Sequence, residues 1–109
     1  MKYQVRMTAN ALEDTESILR WYRDQSEVAA SKWFASLHEA LTRLETMPER
    51  CKLARESTDV GREVHELSIG KRRPSHRLLF EIGAQTVQIL RVWHTSRDMI
   101  SRDDLWPRS

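Results

Sequence analysis

The N-terminal segment Tyr3-Gln4-Val5-Arg6-Met7 alternates apolar and polar residues, which places Tyr3, Val5 and Met7 on one face of a half-buried strand. Asn10 followed three residues later by Glu13 then reads as a capping box. Ala11, Leu12, Thr15, Ile18, Leu19 and Tyr22 recur at the spacing of a first amphipathic helix. The stripe breaks around Asp24-Gln25-Ser26. Ser26 can cap a second helix whose apolar face carries Ala30, Trp33, Phe34, Leu37, Leu41 and Leu44, with Trp33 and Phe34 expected in the core. Pro48 closes that helix, because the residue before a proline is pushed out of the helical region. So short a break between two helices predicts an antiparallel helical hairpin.

From Glu49 to Asp59 no period is sustained, and the segment reads as a charged loop with at most one helical turn. Three strands follow: a weaker one at 62–69, a clearer one at 77–82, and a β-branched return at 86–93 joined to it through Gly83-Ala84-Gln85. A pair of helices followed by successive strands predicts an α+β fold, a mainly antiparallel four-stranded sheet packed against an N-terminal helical hairpin. A chain of 109 residues has room for one core, so residues 1–109 are expected to form a single domain.

Register decides which side chains meet on the last hairpin. Pairing Ile82 with Val87 sets Phe80 opposite Ile89 and Arg77 opposite Val92. That register gathers Leu78, Phe80, Ile82, Val87 and Ile89 on one apolar face and leaves Arg77, Glu81 and His94 on the other. A slip of one residue moves His94 to the opposite face. An arginine beside a histidine is a candidate phosphodiester site, since the guanidinium stabilises phosphorane-like charge while the imidazole exchanges protons near neutrality.

Composition narrows the chemistry. Hydrophobic residues at 39% and charged residues at 31% describe an ordinary globule rather than a disordered chain. No apolar run approaches a membrane span and the N-terminus lacks a signal-peptide core, so a cytoplasmic protein with no membrane partner is expected. Three glycines cannot build a phosphate-binding loop, and HExxH and paired CxxC motifs are absent, so neither a metal nor another cofactor is expected. Cys51 stands alone between Arg50 and Lys52, which supply no base, and it reads as a packing residue. His38 falls among polar helix positions and His65 at the rim of the sheet. Trp93 and Trp106 either contact a partner or pack against the tail from Met99-Ile100 to Leu105.

Net charge is +2, but residues 50–97 hold ten Lys and Arg against five Asp and Glu. The excess suits a polyanion or an acidic protein segment, with the basic turn Lys71-Arg72-Arg73 as its densest point.

The order strand, two helices, charged loop and three strands resembles the RelE/ParE toxin superfamily over nearly the whole chain. The most specific parts are the strand Arg77-Leu78-Leu79-Phe80-Glu81-Ile82, the strand and tail Val87-Gln88-Ile89-Leu90-Arg91-Val92-Trp93-His94-Thr95-Ser96-Arg97-Asp98, and the helix close from Leu44 to Pro48. The resemblance implies a toxin of a type II toxin–antitoxin module, held inactive by a cognate antitoxin and touching DNA only through it. Two mechanisms are found in the superfamily. The ParE-like one inhibits growth by binding a macromolecular target such as DNA gyrase. The RelE-like one is ribosome-dependent mRNA cleavage, for which Arg77 and His94 match catalytic positions. Val64, His65, Glu66 and Leu67 stand where a basic pair is expected in the RelE branch, and no tyrosine follows the last strand, so the ParE-like reading leads. Lys71, Arg72, Arg73, Arg91 and Arg97 are then the candidate contacts to target or antitoxin.

Overall fold

The computed structural model describes residues 2–70, 74–97 and 99–106; the basic turn Lys71-Arg72-Arg73 lies outside the described residues. Strand β1 (Gln4–Met7) passes through a single residue into helix α1 (Ala9–Gln25). Thr8, rather than Asn10, caps that helix: its hydroxyl accepts from the Ala11 N–H at 3.1 Å and donates to the Leu90 carbonyl at 2.9 Å. Asn10 already lies inside the first turn, because the strand runs closer to the helix than the capping-box spacing allows.

Helix α2 (Glu27–Leu44) is capped by Ser26, whose hydroxyl accepts from Val28 and Ala29. Its buried stripe is Ala30, Trp33, Leu37, Ala40 and Leu44. That stripe is narrower than the sequence pattern, so Phe34, about 100° around the helix from Trp33, is exposed rather than in the core. Leu12, next to buried Ala11 on α1, is exposed for the same reason. A 3₁₀ turn at Pro48–Arg50 and the short helix α3 (Glu56–Val60) lie within the charged segment.

Strands β2 (His65–Ile69), β3 (His76–Ile82) and β4 (Thr86–His94) complete one sheet of order β1-β4-β3-β2. The β2–β3 and β3–β4 pairs are antiparallel, whereas β1 lies parallel to β4. No hairpin ties β1 to β4, so its direction is set by pairing: the Gln4 N–H bonds the Gln85 carbonyl and the Thr8 N–H bonds the Ile89 carbonyl. The sheet is therefore mixed, antiparallel in two of its three pairings.

Both faces of the sheet are covered. The helical hairpin seals one with Trp33, Leu37, Leu44, Leu78, Phe80 and Ile89. On the other, α3 and the final helix α4 (Arg102–Leu105) bury Val60, Val64, Leu79, Leu90, Trp93 and Leu105. Trp93 thus packs against the tail, with Trp106 partly buried beside the same cluster.

The last hairpin follows the expected register only in its first half. Ile82 faces Val87 and Phe80 faces Ile89, but Leu79 faces Arg91, leaving Leu90 as the extra residue of a bulge. From there on the pairing is shifted, so Arg77 faces Trp93 rather than Val92, and His94 faces His76. A bulge reverses the inside–outside alternation of everything after it. Val92 and His94 consequently share the face of the helical hairpin, while Arg77 stays on the other.

Candidate functional site

Arg77 is held by three hydrogen bonds to two carboxylates on the face covered by α3 and α4. Its Nη1 donates to Glu56 Oε1 at 2.8 Å and to Glu66 Oε2 at 3.2 Å, and its Nη2 donates to Glu56 Oε2. Glu56, at the start of α3, is completely buried, and its Oε2 also accepts from the Ile100 N–H at 3.0 Å. Lys52 reaches the second oxygen of Glu66 at 3.5 Å. Burial pushes the Glu56 carboxyl up, yet hydrogen bonds from Arg77 and Ile100 and the charge of Arg77 outweigh it and hold the carboxyl below its usual range. Hydrogen bonding to Glu56 likewise raises Arg77 against the opposing effect of burial. The guanidinium is a structural cation that, through Glu56, fastens α3 and the tail to β3.

His94 sits across the sheet from it. Its Nδ1 accepts from the Ser96 N–H at 3.0 Å and lies 2.6 Å from the Ser96 hydroxyl. An accepting Nδ1 leaves the neutral ring with its proton on Nε2. The ring meets His76 edge-on at 4.9 Å between centroids. His76 is buried, with its Nδ1 2.8 Å from the Ser75 hydroxyl and its ring 5.5 Å from that of Trp33. Burial, aided by the charge of His94, pushes His76 down to about 4. The two imidazoles border an apolar slot of about 570 Å³ walled by Ile18, Trp21 and Tyr22.

Arg77 and His94 are therefore not brought together, and the ionisable groups that do stand beside the guanidinium, Glu56 and Glu66, are its ion-pair partners. Of the candidate docking cations, Arg91 is bound bidentately by Asp14 at 2.7 and 2.8 Å and also donates to the Asp104 carbonyl. Arg97 is exposed, its guanidinium 3.7 Å above the ring of Trp93. Among the other histidines, His38 is exposed, and His65 stacks on Phe80 with its Nδ1 2.9 Å from the Cys51 carbonyl. Burial raises the Cys51 thiol, which makes it a poorer nucleophile.

Sequence reasoning missed Glu56 and His76. Glu56 lies in the aperiodic charged segment, and the one available signal was indirect: an arginine starting the apolar run Leu78-Leu79-Phe80 requires a buried carboxylate from elsewhere. His76 carries no such signal, since it stands one position before the strand expected over 77–82.

Against curated proteins the sequence has no match. Among solved structures it resembles a chain described as "Chromosomal ParDE TA system from P. aeruginosa", with a TM-score of 0.67 at 22% identity, covering 84% of this chain and 95% of that one. The likeness establishes the shared fold. Residues 5–99 match the family described as "ParE toxin of type II toxin-antitoxin system, parDE". A match extending over most of the sequence, from β1 to the segment after β4, shows that the chain belongs to the ParE toxin family of type II toxin–antitoxin systems.

Proposed function

We propose that this ParE-family chain arrests bacterial growth by binding a macromolecular target, DNA gyrase in the first instance, and that a cognate antitoxin neutralises it. The observation that carries the binding mode over catalysis is the state of Arg77. Its guanidinium is buried, with three of its N–H donors and its charge committed to Glu56 and Glu66 rather than to a scissile phosphate, and His94 projects from the opposite face. α3 and α4 also cover the sheet face on which RNA would have to lie. Exposed Arg97 and, from the sequence, Lys71, Arg72 and Arg73 supply the cations for contact with target or antitoxin. Arg91 serves that role only if its pairing with Asp14 opens. In this reading the protein works in the cytoplasm and reaches DNA only through the antitoxin.

Pulse-labelling of DNA and protein synthesis minutes after induction of the chain without an antitoxin tests the proposal. DNA synthesis is expected to fall first. If translation stops first, the RelE-like endoribonuclease with Arg77 and His94 in its site replaces the gyrase reading. If neither stops, the chain is not an active toxin.

A further inference from the structure

The face of α1 turned to the sheet carries Ala11, Thr15, Ile18 and Tyr22. Trp21 lies at the border of that face, on the side where Asp14 bonds β4, and it is 60% exposed. Folding therefore leaves most of a large aromatic surface in water. Its neighbour Tyr22 meets it edge-on at 5.1 Å, stacks on Trp33 at 6.0 Å, and has its hydroxyl 3.4 Å from that of Ser75. Tyr22 is thus fixed on two sides, and Trp21 stands against a rigid wall.

Ile18, Trp21 and Tyr22 are the apolar walls of the slot of about 570 Å³ where β3 begins and β4 ends, and Ser75, His76 and His94 are its polar end. Its size is that of a small-ligand pocket. His94 bonds Ser96 through Nδ1 alone, so its Nε2–H is a donor with no partner among the described residues. His76 likewise bonds only through Nδ1. Among the described residues, the one buried side-chain nitrogen or oxygen without a partner is Trp33 Nε1, so the free Nε2 of His76 is not sealed off and opens toward the slot. No carboxylate is among the described residues of the lining. Aromatic walls with imidazole N–H at one end and no acid suit a flat ring that carries a negative acceptor, and they offer an aromatic cation no counter-ion.

We infer that this slot binds a small aromatic carboxylate of one or two rings, with the ring against Trp21 and Ile18 and the carboxylate accepting from His94 Nε2. That hydrogen bond is charge-assisted by the ligand and needs no protonation of the neutral imidazole. A neutral aromatic molecule would gain the ring contacts but only a weaker bond to His94, and a non-aromatic acid would gain the bond without the ring contacts. Such binding is independent of whether the chain arrests growth.

The full-length chain is titrated with indole-3-acetate, with its neutral amide indole-3-acetamide, and with N-acetyltryptophanamide as the stand-in for a protein side chain, while NMR follows the ring protons of His76 and His94. Indole-3-acetate is expected to shift both histidines with a Kd on the order of 1 mM or tighter, about fivefold or more below that of either neutral probe. Trp21→Ala should weaken binding of the acid by about fivefold or more, and His94→Ala should bring acid and amide to about equal affinity. Both side chains are exposed, so the variants keep the fold. Should Trp21→Ala disturb Tyr22, His94→Ala decides alone. Unshifted histidines at about 10 mM acid, equal affinity for acid and amide in the unmodified chain, or a preference for the acid that survives His94→Ala would overturn the inference. N-acetyltryptophanamide binding as tightly as the acid would also overturn it, and would assign the slot to an aromatic side chain of a protein partner.

Discussion

Arg77 and His94 occupy neighbouring strands yet project from opposite faces of the sheet, because the Leu90 bulge in β4 lies between the two halves of their ladder. The bulge lets Leu90 join the cluster under α4 while Ile89 and Val92 both face the helical hairpin. Deleting Leu90 would join Ile89 directly to Arg91 in a regular ladder that keeps Val92 on the hairpin face and Trp93 on the tail face. Leu90→Ala is expected to cost about 2–5 kcal/mol, as for other buried leucines. The deletion is expected to leave unfolding cooperative at a cost similar to or somewhat above that of the alanine variant, because it removes the buried Leu90 side chain and the carbonyl that accepts from Thr8 without moving any later side chain to the other face. Urea titration by tryptophan fluorescence compares the two, and a deletion that abolishes cooperative unfolding would contradict the place of Leu90 as the extra residue of the bulge.

The Glu56–Arg77 pair makes a second, quantitative expectation. Removing one partner leaves the other charge buried without its counter-ion, so Arg77→Ala is expected to lose about 3–5 kcal/mol of stability. Glu56→Ala also orphans the Ile100 N–H and releases the tail. A double-mutant cycle should return a coupling above about 1 kcal/mol. Near-additive single effects would mean that the pair is not a unit.

His76 gives the pH dependence its sign. Its folded value of about 4 lies below the ordinary 6.5, so between these values the unfolded chain binds the extra proton. The contribution is fully present above pH 6.5 and is lost as pH falls toward 4, amounting to up to about 3 kcal/mol. His76→Phe should flatten that part of the stability profile. Removing a neighbouring positive charge by His94→Ala should raise the His76 value, which an NMR titration of the imidazole protons reads directly. A His76 resonance titrating at 6.5 in the folded protein would contradict the buried, neutral assignment.

Much of this architecture was legible because periodicity reports burial on one face at a time. Ser26 as a cap, the Trp33-Leu37-Leu44 stripe and the Ile82/Val87 end of the hairpin all follow from local pattern. What stayed hidden depends on contacts distant in sequence. β1 lies parallel to β4 across the whole chain, and Glu56 reaches Arg77 from an aperiodic segment. Leu90 reads as one more apolar residue in a β-branched strand, so nothing local marks it as the place where the faces exchange. The candidate pair Arg77 and His94 depended on an uninterrupted register, and a single extra residue separated it.

His94→Ala separates a binding toxin from a ribonuclease without endangering the fold. The side chain is exposed, and its hydrogen bonds are confined to Ser96, two residues away. Its loss should therefore change stability little, apart from the shift at His76. If the chain acts by binding, growth arrest after induction should match that of the unmodified chain at the same protein level. If it cleaves RNA with His94 as acid or base, removing the proton donor should slow cleavage by about 10²–10⁴-fold and relieve the arrest. Growth curves with immunoblots for matched expression distinguish these outcomes, and relief of arrest in a variant with an unchanged unfolding midpoint would refute the binding mechanism.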